Sequence, residues 1–272
     1  MGGVVGSTVS GDKLRSCISG GSTTGNMTWT NFNYYSAQRG MQQIDYAMHR
    51  WIANLFYAKY GRRDAQMQCG AGSHTNSRTT GGTAALGMQD TVNTDGTTTG
   101  GWEGNGKAWY TKTDSLGNVT YASISNTNCL GYEDIYGHKY EMMDNVKVNA
   151  GTVDGKWTIT EPDGTVRKVK GATSSAWIAA VAHGRYMDVV PVGTMQASSS
   201  TGYCDMYYYS GATDRVVYRG CNNANANGGV SSAHASYGAS YADSVIGSRL
   251  AFRGIIVWAS SVTAYKALSE IS

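Results

Sequence analysis

The stretch from Arg215 to Arg253, RVVYRGCNNANANGGVSSAHASYGASYADSVIGSRLAFR, decides how the rest of the chain is read. Its ends look like strands beside turns. Arg215–Arg219 is a short apolar-rich run that stops at Gly220, and Gly247–Arg253 is a turn followed by a second short strand. Between them, from Cys221 to Ser244, there is no aliphatic periodicity and no Pro. The segment is mostly Asn, Ser, Ala, Gly and Tyr, with one Cys and one His. Such a sequence can bury little apolar surface of its own. Held between two strands, it becomes a displayed surface. Small polar residues mixed with Tyr also make up adaptable binding surfaces.

Moving outward, Tyr203–Tyr209 leads into this stretch, and Ile255–Trp258 follows it as a strand apolar enough to be buried. Upstream, Trp177–Ala182 is a short apolar run. Glu161-Pro162-Asp163-Gly164 is a turn between strands Lys156–Thr160 and Thr165–Val169. Lys107–Thr111 and Val119–Ile124 read as strands joined by a turn at Asp114–Asn118, and Cys69–Gly106 as loops around short strands. The strongest helix signal is Gln42–Tyr60. Ile44, Met48, Trp51, Ile52, Leu55 and Phe56 mark its core stripe, and Gly61 its cap. His49 within it reads as a surface or core histidine rather than a ligand. Residues 1–30 are rich in Gly, Ser and Thr and read as an N-terminal arm, leaving one domain over 31–272. The residues after Trp258 read as a short helix or a tail. The expected fold class is α+β, with short twisted strands, an N-terminal helix and long irregular loops.

Composition narrows the function classes. Charged residues make up 15% of the 272, against about 25% in ordinary soluble domains. The net charge of +3 is small, and no Lys/Arg cluster points to nucleic acid. No apolar run approaches the roughly 20 residues of a membrane span. The first 17 residues lack the basic and apolar regions of a secretory leader, so the chain is expected to be made in a cytoplasm. The five cysteines (17, 69, 129, 204 and 221) show no paired zinc spacing, and an odd number leaves at least one thiol free. Cys221, in the displayed segment, is expected to be exposed.

Catalytic motifs are missing. There is no phosphate-binding loop, dinucleotide fingerprint or HExxH, and the histidines (49, 74, 138, 183 and 234) are scattered. No cofactor or metal is expected. Glu133, Asp134, Glu141 and Asp144 lie close together, a spacing that suits turn and cap hydrogen bonds better than an acid–base pair or a calcium site.

Three short motifs in order carry a family resemblance. Asp134-Ile-Tyr-Gly137-His-Lys-Tyr-Glu141-Met-Met-Asp144 resembles the D-M-x-G-N-V-x-E-W-x-x-D segment of the formylglycine-generating-enzyme-like branch of the C-type lectin fold. Asp134, Gly137, Glu141 and Asp144 match, with Met142 in place of the usual Trp. Arg215–Gly220 resembles the R-V-x-R-G-G of that branch, and Ala251-Phe252-Arg253 its closing G-F-R. The resemblance spans residues 131–258, with the hairpin near 151–171 as an insertion. It implies a C-type lectin-like fold. The oxidases of that branch carry a cysteine pair after R-G-G, where this chain has only Cys221. The sulfoxide synthases carry an H-x3-H-x-E motif, which is absent.

The closer likeness is to the variable proteins of diversity-generating retroelements, whose C-terminal hypervariable segment is rewritten at template adenines and contacts ligand. Rewriting AAC or AAT codons never yields Lys, Glu, Gln, Met or Trp, and none of these occurs between Gly220 and Arg253. The resemblance implies a non-enzymatic phage tail or adhesin protein, on a virion or cell surface, binding a protein or glycan receptor. The implied contact residues, in the variable segment 221–244, are Cys221, Asn222, Asn223, Asn225, Asn227, Ser232, His234, Ser236, Tyr237, Ser240, Tyr241 and Asp243. Weak contacts favour multivalent display and hence a homo-oligomer such as a trimer. The alternatives are an oxidase using Cys221 and a structural virion component without a ligand.

Overall fold

The structure, a computed structural model, describes residues 25–38, 40–69, 132–133, 135–137, 139–196, 198, 200–221, 225–254 and 261, together with the strand backbones at 4–5, 15–16, 100–102, 107–113 and 119–129. The architecture is mixed α+β, with a curled, half-barrel sheet and few helices.

Nine strands form that sheet: β1 (Tyr140–Val148), β2 (Lys156–Thr160), β3 (Val166–Lys170), β4 (Ala176–Ala182), β5 (Val190–Met195), β6 (Met206–Tyr209), β7 (Arg215–Arg219), β8 (Ala233–Ala235) and β9 (Ile246–Gly247). Their spatial order is β3-β2-β1-β7-β8-β6-β4-β5, with β9 parallel to the start of β1. All neighbours along this path are antiparallel except β6 and β8, which run parallel. The displayed segment therefore does not loop free of the sheet. Its middle becomes β8, wedged between β6 and β7.

Successive strand side chains point to opposite faces, so the centre of the sheet supports two cores. On one face, Met143, Val146, Trp157, Ile159, Ile178, Tyr207, Val217, Ala233 and Ala235 pack with Tyr46, Ile52, Ala53 and Phe56 of helix α2 (Tyr46–Tyr60). On the other, Met142, Val216, Tyr218 and Ile246 pack with Met27, Leu250 and Phe32, the last from helix α1 (Trp29–Ala37).

The sequence pattern anticipated several elements closely. The turn at Glu161–Gly164 closes a hairpin of β2 and β3, with Glu161 N donating to Thr165 O at 2.8 Å and Gly164 at φ +84°. Gly61 caps α2 at φ +62° in the left-handed region that glycine adopts freely. Gly220 turns the chain after β7 at φ +70°, where a Cβ would press against the Tyr136 backbone. Paired strands Lys107–Thr113 and Val119–Cys129 flank the turn expected at 114–118, which lies outside the described residues. The strand expected at 255–258, most of the loops at 69–106 and, apart from Ser261, the residues expected to end the chain as a helix or tail also lie outside them.

Other expectations need correction. The helix begins at Tyr46 rather than Gln42, because extended Asp45 caps it, its carboxylate accepting from Met48 N at 2.8 Å. Gln42–Gln43 is instead a short strand paired with Leu250–Ala251. The core stripe keeps Ile44, Ile52 and Phe56 buried and Met48 against them, but Trp51 is 66% exposed and Leu55 faces outward, while His49 and Arg50 are buried. Buried polar partners draw those two inward. Arg50 bridges Glu161 at 2.8 Å and Asp188 at 3.3 Å, and His49 Nε2 lies 3.0 Å from Val230 O. A helix not foreseen from the sequence, α1, crosses the end of the expected arm at residue 30, with Thr28 Oγ1 accepting from Asn31 N as its cap. The hairpin near 151–171 extends the edge of the sheet beside β1, and its Trp157 is completely buried beside Tyr46 and Tyr207.

Replacing a large buried aromatic by Ala typically costs about 3–5 kcal/mol. Trp157→Ala is therefore expected to lower the denaturant midpoint by about that much stability. A change below about 1 kcal/mol would mean the hairpin is an appendage.

Candidate functional site

The site is built on β8. His234 is its central residue, opposite Tyr208 of β6 and Tyr218 of β7. Ala233 and Ala235 point into the core on the α2 side, which leaves His234 on the opposite face, half-buried beside the second core. Its ring lies 4.9 Å from Tyr208, 5.1 Å from Tyr237, 5.5 Å from Tyr140 and 5.9 Å from Tyr218. The His234 and Tyr237 rings are near-parallel at 11°, and Tyr237 stacks on Tyr241 at 3.8 Å and 7°. The outcome is a continuous aromatic cluster of five tyrosines around one imidazole, with Tyr218 buried at its base and Tyr237 exposed at its top. Each well-placed ring pair adds about 0.5–1.5 kcal/mol beyond its buried area.

The polar groups of this surface are ordered. Ser236 N donates to His234 Nδ1 at 3.4 Å, so the ring proton sits on Nε2. Burial lowers the His234 pKa to about 4, keeping the imidazole neutral at ordinary pH. Asn227 Nδ2 donates to Tyr208 OH at 2.8 Å, and Tyr241 OH donates to Asp243 Oδ2 at 3.1 Å. Asp243 also accepts from Val245 N at 3.0 Å, and that bond is the first cause of its lowered pKa.

The segment's backbone is held from outside the segment. Gln66 Nε2 donates to the carbonyls of both Asn225 and Gly228, each at 2.6 Å. Met206 N donates to Asn227 O at 2.8 Å. Arg219 donates to Val230 O at 3.1 Å, an oxygen that also meets His49 Nε2. The Asp205 carboxylate accepts from Ser231 N at 2.8 Å, and Tyr57 OH meets Ser231 Oγ at 2.5 Å. Gly137, Ser210, Val216, Trp29 and Asn26 donate their backbone N–H to the carbonyls of Cys221, Ala235, Tyr237, Ala239 and Asp243. Gly228 and Gly229 allow the close approach. A Cβ on the first would run into the Cys221 thiol, and one on the second into the Asp205 carboxylate.

The residues expected to make contacts divide accordingly. Asn225, Tyr237 and Ser240 are exposed, and Asn227, His234, Ser236, Tyr241 and Asp243 are half-buried on the same face. Asn222 and Asn223 lie outside the described residues. Ser232 is buried, its hydroxyl donating to Met206 O at 3.2 Å. Cys221, expected to be exposed, is only 1% so, and burial pushes its thiol up to about 12. Among the described residues, no group of three His, Cys, Asp or Glu is placed to hold a metal ion.

The acidic cluster is also resolved in part. Glu141 is buried and paired with Arg249, its Oε1 accepting from Nε at 2.5 Å. Asp144 accepts from Asn145 N at 2.8 Å, a local bond of the expected kind. The Glu133 side chain and Asp134 lie outside the described residues. The holders Gln66, His49, Asp205 and Tyr57 were missed because no motif marks them, and all but Asp205 lie far from the segment in sequence. No family model matches the chain, and no curated protein matches it. No helix among the described residues is long and apolar enough to cross a membrane.

Burial pushes the Asp205 carboxyl up to about 8, outweighing the lowering effects of the Ser231 N–H and Arg219. An unfolded Asp titrates near about 3.9. The stability contributed by the neutral acid is therefore complete below about pH 4 and is lost as pH rises through 8. Asn keeps an acceptor for Ser231 N without the charge. Asp205→Asn is expected to gain at least about 1 kcal/mol on the native protein between pH 4 and pH 9, one pKa unit being worth about 1.4 kcal/mol. Denaturant midpoints at the two pH values measure this, and a constant difference would show that Asp205 is ionised throughout.

Proposed function

We propose that the chain is a binding protein, in which a fixed backbone over residues 225–243 presents exchangeable side chains to a receptor. The observation that carries this reading is the separation of roles within the segment. Its carbonyls are held by groups outside it, while its outward side chains make few bonds to the scaffold. A surface held in this way can change its chemistry without changing its shape. Tyr supplies rigid contact area and Asn and Ser supply hydrogen bonds, the mixture found in adaptable paratopes.

The finer identity proposed is a retroelement-diversified protein of C-type lectin-like fold, of the phage tail or adhesin kind, binding a protein or glycan receptor. The ordered motifs at Asp134–Asp144, Arg215–Gly220 and Ala251–Arg253 support it, as does the absence of Lys, Glu, Gln, Met and Trp from the segment. Among the described residues the contact set we propose is Asn225, Asn227, His234, Ser236, Tyr237, Ser240, Tyr241 and Asp243, and Asn222 and Asn223, outside them, stay in it. Cys221 and Ser232 become structural residues beneath it.

Two libraries test the reading. One randomises the eight outward positions with NNC and NNT codons, and the other applies the same codons to Cys221, Gly228, Gly229, Ser231 and Ser232. Most members of the first should stay folded in a protease-resistance screen, since surface changes usually stay within about 0.5 kcal/mol. Most members of the second should fail, overpacking alone costing about 1–3 kcal/mol per site. Equal survival would remove the proposal. At the DNA level, a nearby copy of the segment differing only at adenines is expected beside a reverse-transcriptase gene.

A further inference from the structure

A second candidate surface lies at the outward side of α2. There the helix and the turn at 183–188 form an open cavity of ≈ 290 Å³ lined by Arg50, Trp51, Asn54, Tyr186 and Met187. Its walls are held in place. Asn54 Nδ2 donates to Met187 O and to Arg50 O, each at 2.8 Å, which ties the turn to the helix. Met187 sits at φ +53°, a left-handed backbone that a non-glycine residue adopts at a cost, and its side chain is 53% exposed. Tyr186 is fixed by the Arg167 guanidinium, 4.2 Å from its ring centre. The turn thus spends backbone strain to present an apolar side chain to solvent, beside a Trp that the core does not use.

Size and charge narrow the occupant. An apolar cavity of about 150 Å³ accepts benzene, whereas pockets for whole small molecules run from about 300 to 1,000 Å³. This cavity fits one bulky aromatic side chain. Trp, Tyr, Met and Arg are also the residue types enriched at the centres of protein–protein interfaces. Beneath the cavity, Arg50 and Arg167 share the carboxylates of Glu161 and Asp188, so that network is neutral. Arg185 remains, 5.8 Å from the Tyr186 ring, with no carboxylate partner among the described residues. Its free positive charge beside an apolar slot complements an aromatic residue flanked by carboxylates.

We propose that the cavity between α2 and the 183–188 turn is a second docking site, separate from the 225–243 surface, taking an aromatic side chain of an acidic polypeptide partner. The test titrates acetyl-Glu-Trp-Glu-amide into the isotope-labelled full chain and follows the Trp51 indole N–H and the Met187 methyl by NMR. The Glu-Trp-Glu probe is expected to shift both signals saturably. Acetyl-Lys-Trp-Lys-amide should bind at least about fivefold more weakly, and acetyl-Glu-Ala-Glu-amide should not bind. Met187→Gly relieves the left-handed backbone, so its thermal midpoint should hold or rise while probe affinity falls about tenfold. Undiminished binding by Met187→Gly, equal binding of the Ala probe, or no saturable shift would each overturn the proposal. So would self-association that Trp51→Ala abolishes, since a second copy would then be the occupant.

Discussion

The guanidinium of Arg219 lies at the centre of the molecule, completely buried, and bonds the carbonyls of Val189 and Val230. It joins the last residue of β7 to the entries of β5 and β8, elements on different parts of the sheet. No ion pair at contact distance offsets its charge among the described residues. Its electrostatic surroundings are Asp205 and the hydroxyls of Tyr46, Tyr57 and Tyr207, and burial lowers its pKa. Burying a charge is expensive unless its geometry is well satisfied. Around the same point, Val230 O also meets His49 Nε2 and the next amide donates to Asp205. Arg219 thereby fixes where the polar segment meets the scaffold.

From that contact outward, the segment is a backbone held in place and a side-chain surface left open. Ala233 and Ala235 fill the core beneath it, and Gly228 and Gly229 let it approach the Cys221 and Asp205 side chains. Above, the His234–Tyr237–Tyr241 stack is packed mainly against itself and the neighbouring tyrosines of β6 and β7. The core pays for the order of the segment, so its surface chemistry need not. This division underlies both the proposed receptor-binding role and the assignment of Cys221 and Ser232 to the interior.

Much of the fold was legible where one local rule dominates. The hairpin at Glu161–Gly164, the cap at Gly61 and the strand ending at Gly220 each follow from turn chemistry and a single residue's backbone freedom. The helix was legible, and its face in part: Ile44, Ile52 and Phe56 are buried where the periodicity placed them. Apolar periodicity placed Trp51 and Leu55 inward, whereas polar partners at Glu161, Asp188 and Val230 O turned Arg50 and His49 inward instead. Those partners lie more than a hundred residues away, and local pattern carries no trace of them. The binding surface was legible as composition, including His234, Tyr237 and Tyr241. Its depth was not, because a short Ser or Cys reads alike whether it faces solvent or a buried carbonyl.

Amide hydrogen exchange tests the central claim, that the scaffold rather than the displayed side chains orders the segment. The comparison is between the native chain and a variant carrying Asn225→Ser, Asn227→Ser, Ser236→Ala, Tyr237→Ser, Ser240→Ala and Tyr241→Ser together. The probes are the amides of Ser231, bonded to Asp205, and Met206, bonded to Asn227 O. The account expects their protection to persist within about tenfold of native, an opening free energy changed by no more than about 1.4 kcal/mol. Exchange of both amides at unprotected rates in the variant, with β1 and β7 still protected, would show that the side chains hold the loop and would contradict the account.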